Sequence, residues 1–246
     1  GGRLELAHDM VSKSNTLKTR VLINRLWGYV FGRALVTSTD NFGLLGKKPS
    51  HPKLLDRLSL DFEQNGWSIK RTLKKMLMSR TFKLSSEARS KNLDVDSGNK
   101  YFSFYTPRRL DAEAIKDSIY FVTKSPDRTI NNPIKRLKLD PFLESFDAPI
   151  PVSTISTRNN TNVPAQALLL MNSEFTRGCA MKWAKLITAN QTLKTPKQQI
   201  TEIYQQAYAR APSSHELATC LTYLKEEGLS SLTLSILNSK EFIYVY

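Results

Sequence analysis

Apolar residues recur at three- and four-residue steps along almost the whole chain, a spacing that favours amphipathic helices. In LKTRVLINRLWGYVFGRALV, Leu17, Val21, Leu22, Leu26, Tyr29 and Val30 form one stripe on a helix that ends near Gly32. HPKLLDRLSLDFEQNGW repeats the pattern with Leu54, Leu55, Leu58 and Phe62, and closes on Asn65-Gly66, residues suited to a helix C-terminus. Ser68 is placed to cap the next helix, with Ile69, Leu73, Met76 and Leu77 turned inward and the lysines outward. TPRRLDAEAIKDSIYFVTK reads as a helix with Pro107 near its start and Leu110, Ala114, Ile115, Ile119 and Val122 on one side. A further helix restarts at Pro164, with Gly178 as a candidate kink. Thr195 and Ser213 each precede a Gln or Glu by three residues, the spacing of a capping box, and each predicts one more helix. The last runs into the apolar tail FIYVY. No hairpin signature competes, so the predicted fold is all-α.

Two stretches interrupt the pattern. Residues 85–100 are polar and read as a mobile loop. Between Ser125 and Val163 prolines recur at positions 126, 133, 141, 149 and 151, which favours extended chain with one short helical turn. These breaks predict an N-terminal basic helical lobe over 1–124, a proline-rich connector over 125–163 and a C-terminal helical lobe over 164–246. At 246 residues the chain is long enough to bury a sizeable core.

Charge is unevenly spread. The chain carries 36 Lys and Arg against 22 Asp and Glu, a net +14, and residues 1–100 hold 19 of the basic and 9 of the acidic side chains. A surface of this kind draws in polyanions by a long-range, salt-sensitive field, without choosing among glycan, nucleic acid and lipid headgroup. No stretch approaches the 18 or so apolar residues of a membrane span. Cys179 and Cys220 both fall in helical patterns and form no Cys-x-x-Cys motif, which reads as two small buried side chains. The opening GGRLELAHDM has neither an initiator Met nor an apolar leader, and reads as a cut from a longer protein.

Few residues are candidates for chemistry. Ser50 and Pro52 suit the start of a helix, and His51 between them either fills a slot there or offers an imidazole, the side chain that titrates nearest neutrality. His8 and His215 read as helix-surface residues. Glu113 and Asp117, four apart, share a helix face that could supply acid and base or bind a metal; with Lys116 beside them, a solvated or ion-paired face is the competing account. No metal-ligand spacing, glycine-rich phosphate loop or Gly-x-Ser-x-Gly elbow occurs. Asn24-Arg25, Arg108-Arg109, Lys135-Arg136 and Arg158 form candidate anion-binding groups, or else each arginine fixes a loop carboxylate such as Asp40 or Asp147.

The order of motifs is more specific than any one of them. RVLINRLWGYVFGRALV, DNFGLLGKKPSHPKLLDRLSLDF, NGWSIKRTLKKMLMSRTF, RRLDAEAIKDSI, LESFDAP, RNNTNVPAQALLLMNSEF, AYARAPSSHEL and LSILNSKEFIYVY resemble, in that order, the planctomycete-type domain of unknown function 1553. The resemblance covers nearly the whole chain. It implies the C-terminal part of a large periplasmic or secreted protein, often with an upstream cytochrome-c-like haem module and no cofactor in this part. Matched polar positions are Asn24, Arg25, Asp40, Ser50, His51, Arg109, Asp111, Glu113, Asp117, Gln166 and Asn172. Asn41, Ile150 and Ile155 depart from the family pattern, which usually has Asp, Pro and Cys there, and the glycine-rich stretch expected before KRLKLDPFLESFD is degenerate; these departures discount Asp147 and Arg158 as catalysts. The leading expectation is a helical module that binds an anionic glycan or its own upstream redox domain. The alternatives are an enzyme acting on complex polysaccharide through His51, Asp40, Glu113 and Asp117, and, less favoured, a nucleic-acid binder using Lys70, Lys74 and Lys75.

Overall fold

The structure, a computed structural model, describes residues 2–12, 14–125, 139–152 and 154–246. The expectations for Pro126, Pro133 and Lys135-Arg136 lie outside these residues. Twelve helices account for the regular structure among the described residues, and β structure is confined to a pair of two-residue strands. The fold is all-α. It divides into two compact units, Gly1–Arg108 and Arg109–Val245, so the helix over 112–122 groups with the C-terminal helices.

The first unit holds α1 (Arg3–Val11), α2 (Leu17–Phe31), α3 (Pro52–Gln64), α4 (Ile69–Leu77) and α5 (Ser90–Val95). α2 ends where Gly32 takes a left-handed conformation, φ 76°. Its buried face is turned from the predicted stripe: Ile23, Leu26, Trp27, Val30 and Phe31 are buried, whereas Leu17 and Tyr29 are exposed. The aromatic surface decides this. Trp27 and Phe31 lie 4.1 Å apart and both meet Phe102, at 5.4 and 5.9 Å, a cluster that removes more apolar area from water than Leu17 and Tyr29 could.

α3 has the predicted inner face, with Leu55, Leu58 and Phe62 buried, and ends before Gly66 at φ 70°. Its N-cap is His51, not the predicted Ser50, because Pro52 occupies the first helical position and the residue before a proline is pushed out of the helical region. Ser68 caps α4 as expected, accepting from Arg71 N at 3.3 Å. The inner side of α4 is Thr72 and Met76, with Leu73 half-buried; Ile69 and Leu77 are exposed, contrary to the periodicity. Part of the predicted loop over 85–100 is helical, as α5, and Asp96 then accepts from the backbone N–H of Lys100 and Tyr101.

In the second unit the chain passes from the strand β1 (Arg108–Arg109) into α6 (Ala112–Val122), which starts after Asp111 rather than near Pro107. α7 (Pro141–Ser145) is the one short turn expected among the prolines, capped by Asp140 on the N–H groups of Phe142 and Leu143. α8 (Pro164–Asn172) and α9 (Glu174–Ala189) are separated at Ser173, whose hydroxyl caps α9, and the helix runs unbroken through Gly178. Both predicted capping boxes are formed, at Thr195 for α10 (Pro196–Tyr208) and at Ser213 for α11 (Ser214–Leu237). α11 is interrupted at Gly228, φ 82°, a conformation that favours glycine. α12 (Lys240–Ile243) and the strand β2 (Tyr244–Val245) follow, and Leu110 N donates to Ile243 O at 2.8 Å.

The core of this unit is built on α6, α9, α10 and α11 around Trp183, which is fully buried and donates from Nε1 to Gln206 Oε1 at 2.8 Å. Cys179 and Cys220 are free and buried, as the sequence suggested, and burial pushes the Cys179 thiol up.

Candidate functional site

In the first unit the predicted site residues are anchors of local structure. Asn24 is fully buried on α2, where its amide donates to Val36 O at 2.9 Å and accepts from Val36 N at 2.7 Å, so it fixes the chain after the helix in the manner of a strand neighbour. Arg25 and Asp40 are exposed. His51 Nδ1 lies 3.0 Å from Ser50 Oγ, and its ring packs edge-on against Tyr101 and tilted against Phe102. Ser50 N in turn donates to Leu35 O at 2.8 Å, tying the start of α3 to the segment after α2.

A row of exposed basic side chains of this unit lies on α4. Lys70, Arg71, Lys74 and Lys75 are all exposed, and positions 70, 71 and 74 fall on one side of the helix. Lys75 pairs with Asp61 at 2.9 Å; that hydrogen bond is the largest cause of an Asp61 carboxyl held below its usual range, with Arg71 and Arg57 adding to it at longer range. Among the described residues no carboxylate bonds to Lys70, Arg71 or Lys74. Trp67, just ahead of the helix, is 43% exposed, and Lys18 Nζ stands 5.1 Å over its ring.

In the second unit Arg109 is the centre of a buried polar cluster. Its Nη1 donates to Thr161 O at 2.5 Å and Gln166 Oε1 at 2.6 Å, its Nη2 to Asp147 Oδ2 at 2.8 Å and Phe146 O at 3.2 Å, and its guanidinium sits 5.3 Å over the Phe146 ring. Four of its five N–H groups are thereby used, and Nε, also buried, has no acceptor among the described residues. Asp147 adopts φ 64° and accepts from Thr161 N at 2.8 Å and from the Thr161 hydroxyl. Burial works to raise its pKa, but the Arg109 guanidinium and the Thr161 donors outweigh that and hold the carboxyl below its usual range.

Beside this cluster Arg158 grips Glu113 with both terminal nitrogens, at 2.6 and 3.0 Å, and approaches Asp111 at 3.8 Å. Burial again opposes ionisation of Glu113, and Arg158 again prevails, leaving its pKa lowered. Lys116 reaches Asp140 at 2.5 Å. Arg108, at the end of the first unit, donates to Tyr29 O at 2.5 Å. For Arg109 and Arg158 the geometry is that of arginines fixing carboxylates. Asp117 lines a cleft of about 550 Å³ between α6, α10 and α12, together with Leu110, Ala114, Phe121, Gln206 and Phe242. His51 and Asp40 belong to one unit and Glu113 and Asp117 to the other. Among the described residues no three His, Cys, Asp or Glu side chains gather as metal ligands, and no helix is long and apolar enough to cross a membrane.

Sequence reasoning did not find two features. Thr161 is one half of the Asp147 lock, and nothing in its local sequence marks it. Arg210 donates to both Glu216 and Glu241, with four contacts of 2.6–2.9 Å, and lies over the Tyr204 and Tyr208 rings; its place just before a capping box was the available signal.

Fold and site together define an all-α protein whose buried polar groups fasten loops and whose exposed basic side chains include a row on one short helix. Residues 2–224 match the family described as protein of unknown function (DUF1553), PSD1, and the chain belongs to that family. No curated protein and no solved structure matches it.

Proposed function

We propose that this domain is a binding module that holds an anionic polysaccharide against the exposed basic side of α4, within a larger periplasmic or secreted protein. The observation that carries the reading is the trio Lys70, Arg71 and Lys74, set on one helical side without a carboxylate partner among the described residues while neighbouring Lys75 is neutralised by Asp61. The setting is strongly basic: residues 1–108 contain 20 Lys and Arg against 9 Asp and Glu. Sulfate and carboxylate groups on a glycan suit such a row, Arg71 by its planar fork and the lysines as mobile point charges. Binding is favoured over polysaccharide cleavage because Glu113 is gripped by Arg158 and His51 is engaged with Ser50 and packed against Tyr101 and Phe102. The extracytoplasmic setting rests on the family resemblance, which also favours a glycan over nucleic acid.

The test is elution from a heparin-like matrix. The triple variant Lys70→Glu, Arg71→Glu, Lys74→Glu leaves at distinctly lower salt than the parent, whereas a control reversal of exposed Lys194 and Lys197 in the second unit changes little. Equal elution of parent and triple variant overturns the reading. So does displacement of the bound protein by duplex DNA and not by soluble sulfated glycan.

A further inference from the structure

The loop between α2 and α3 displays two leucines that the fold leaves wholly in water. Leu44 and Leu45 are 105% and 93% exposed, more than any other large apolar side chain described. They form the centre of a tight turn, Gly43-Leu44-Leu45-Gly46, closed by Gly46 N donating to Gly43 O at 2.9 Å. The turn is held from both sides. Asn41 Oδ1 accepts from Gly43 N at 3.0 Å, Ser38 Oγ donates to Asn41 O at 2.8 Å, and the same Ser38 Oγ accepts from Lys47 N at 2.8 Å. Gly46 lies so close to the Asn41 carbonyl that a Cβ there would collide with backbone. The exposed pair is thus presented by a preorganised loop and is not the by-product of a slack one.

Charge accompanies it. Lys47 and Lys48 follow the tip directly and are exposed, Lys53 at the start of α3 is exposed, and Asp40 is the acidic side chain of the loop. A convex tip of two adjacent leucines followed by two lysines fits a deformable anionic surface, in which the leucines sink below the headgroups while the ammonium groups remain among the phosphates. We propose that the 38–48 loop is an interfacial anchor that inserts Leu44 and Leu45 into an anionic lipid membrane. This surface and its ligand are distinct from the glycan face of α4.

The experiment is cosedimentation of the full chain with vesicles of phosphatidylcholine containing about one third phosphatidylglycerol, beside vesicles of phosphatidylcholine alone. The parent pellets with the anionic vesicles and much less with the neutral ones. Leu44→Asp with Leu45→Asp lowers the partition coefficient by about tenfold or more, given the apolar area withdrawn from insertion. Lys47→Glu with Lys48→Glu lowers it comparably at low salt, and Gly46→Ala weakens it by opening the turn. Because Leu44 and Leu45 are solvated, the double aspartate variant keeps the parent's helicity and melting temperature, and the uncharged pair Leu44→Ser with Leu45→Ser, which also lowers vesicle binding, keeps the parent's elution from the heparin-like matrix, which separates this anchor from the glycan reading. Unchanged cosedimentation of the double aspartate variant overturns the proposal. Absence of vesicle binding by the parent, combined with self-association that the same variant abolishes, overturns it in favour of a second copy of the chain as the occupant of the tip.

Discussion

Arg109 shows how much one side chain can decide in this molecule. Its guanidinium connects three motifs distant in sequence, through Asp147, Thr161 and Gln166. Truncating it leaves the buried Gln166 amide and the part-buried Asp147 carboxylate without their shared donor, so Arg109→Ala is expected to cost about 2 to 4 kcal/mol of stability. Arg109→Lys keeps the charge but loses the fork that serves four acceptors at once, and is expected to recover only part of that loss. Urea denaturation monitored by circular dichroism measures both; a change within error of the parent for the alanine variant would show that the cluster is incidental. The sequence left Arg109 open as an anion-binding group or as the partner of a loop carboxylate such as Asp40 or Asp147, and in the structure it holds Asp147. Thr161 was not legible, because its role depends on where a loop folds back and not on its neighbours. His51 was legible as the start of a helix, yet its contacts with Tyr101 and Phe102 come from a segment fifty residues away.

At the level of elements, the capping boxes carry the clearest local instructions, and one of them also ties the C-terminal helices together. Glu216 accepts from Ser213 N at 2.7 Å to complete the cap of α11, and with Glu241 of α12 it clamps Arg210, which follows α10. The hydrogen bond from Arg210, with help from the Ser213 N–H, lowers the Glu216 pKa to about 2 from an ordinary 4.5. A carboxyl depressed on folding contributes stability that is present above its unfolded pKa and is lost as the pH falls through the folded one. The melting temperature should therefore decline from about pH 4.5 toward pH 2, and Asp147, Glu113 and Asp140, all lowered, add to the same acid sensitivity. Glu216→Gln should be less stable at neutral pH and should show a shallower decline over that window. Parallel curves for parent and variant would mean that this carboxylate is not linked to folding. Element boundaries that the sequence misplaced have specific causes: Pro52 moved the cap of α3 to His51, and Ser173, not Gly178, divided the α8–α9 region because its hydroxyl offers Thr176 N a cap at 3.2 Å.

At the scale of the whole molecule, the described residues form two hydrophobic clusters, one around Ile23, Trp27 and Phe62 and a larger one around Trp183, Ile115 and Ile203. Since α6 contributes Ile115 and Ile119 to the larger cluster, the chain from residue 109 onward carries a complete core of its own. A fragment of residues 109–246 is expected to be helical and to melt cooperatively, whereas one cut at 124 loses α6 and exposes that core. Far-UV circular dichroism and thermal unfolding of the two fragments decide this, and a non-cooperative 109–246 would refute the independent core. By itself the sequence determined the all-α class, the helix termini marked by Gly32, Asn65-Gly66, Ser68, Pro164, Thr195 and Ser213, the burial of both cysteines and the concentration of basic charge, because period, caps and composition are local properties that each segment expresses alone. Only the tertiary structure decided which side of α2 is buried, that α6 belongs with the C-terminal helices, that Arg109 and Arg158 spend their charge on Asp147 and Glu113, and that Leu44 and Leu45 have no neighbours to cover them. Those outcomes are set by contacts between residues tens of positions apart, where the competition for buried area and hydrogen-bond partners is settled by packing rather than by any local pattern.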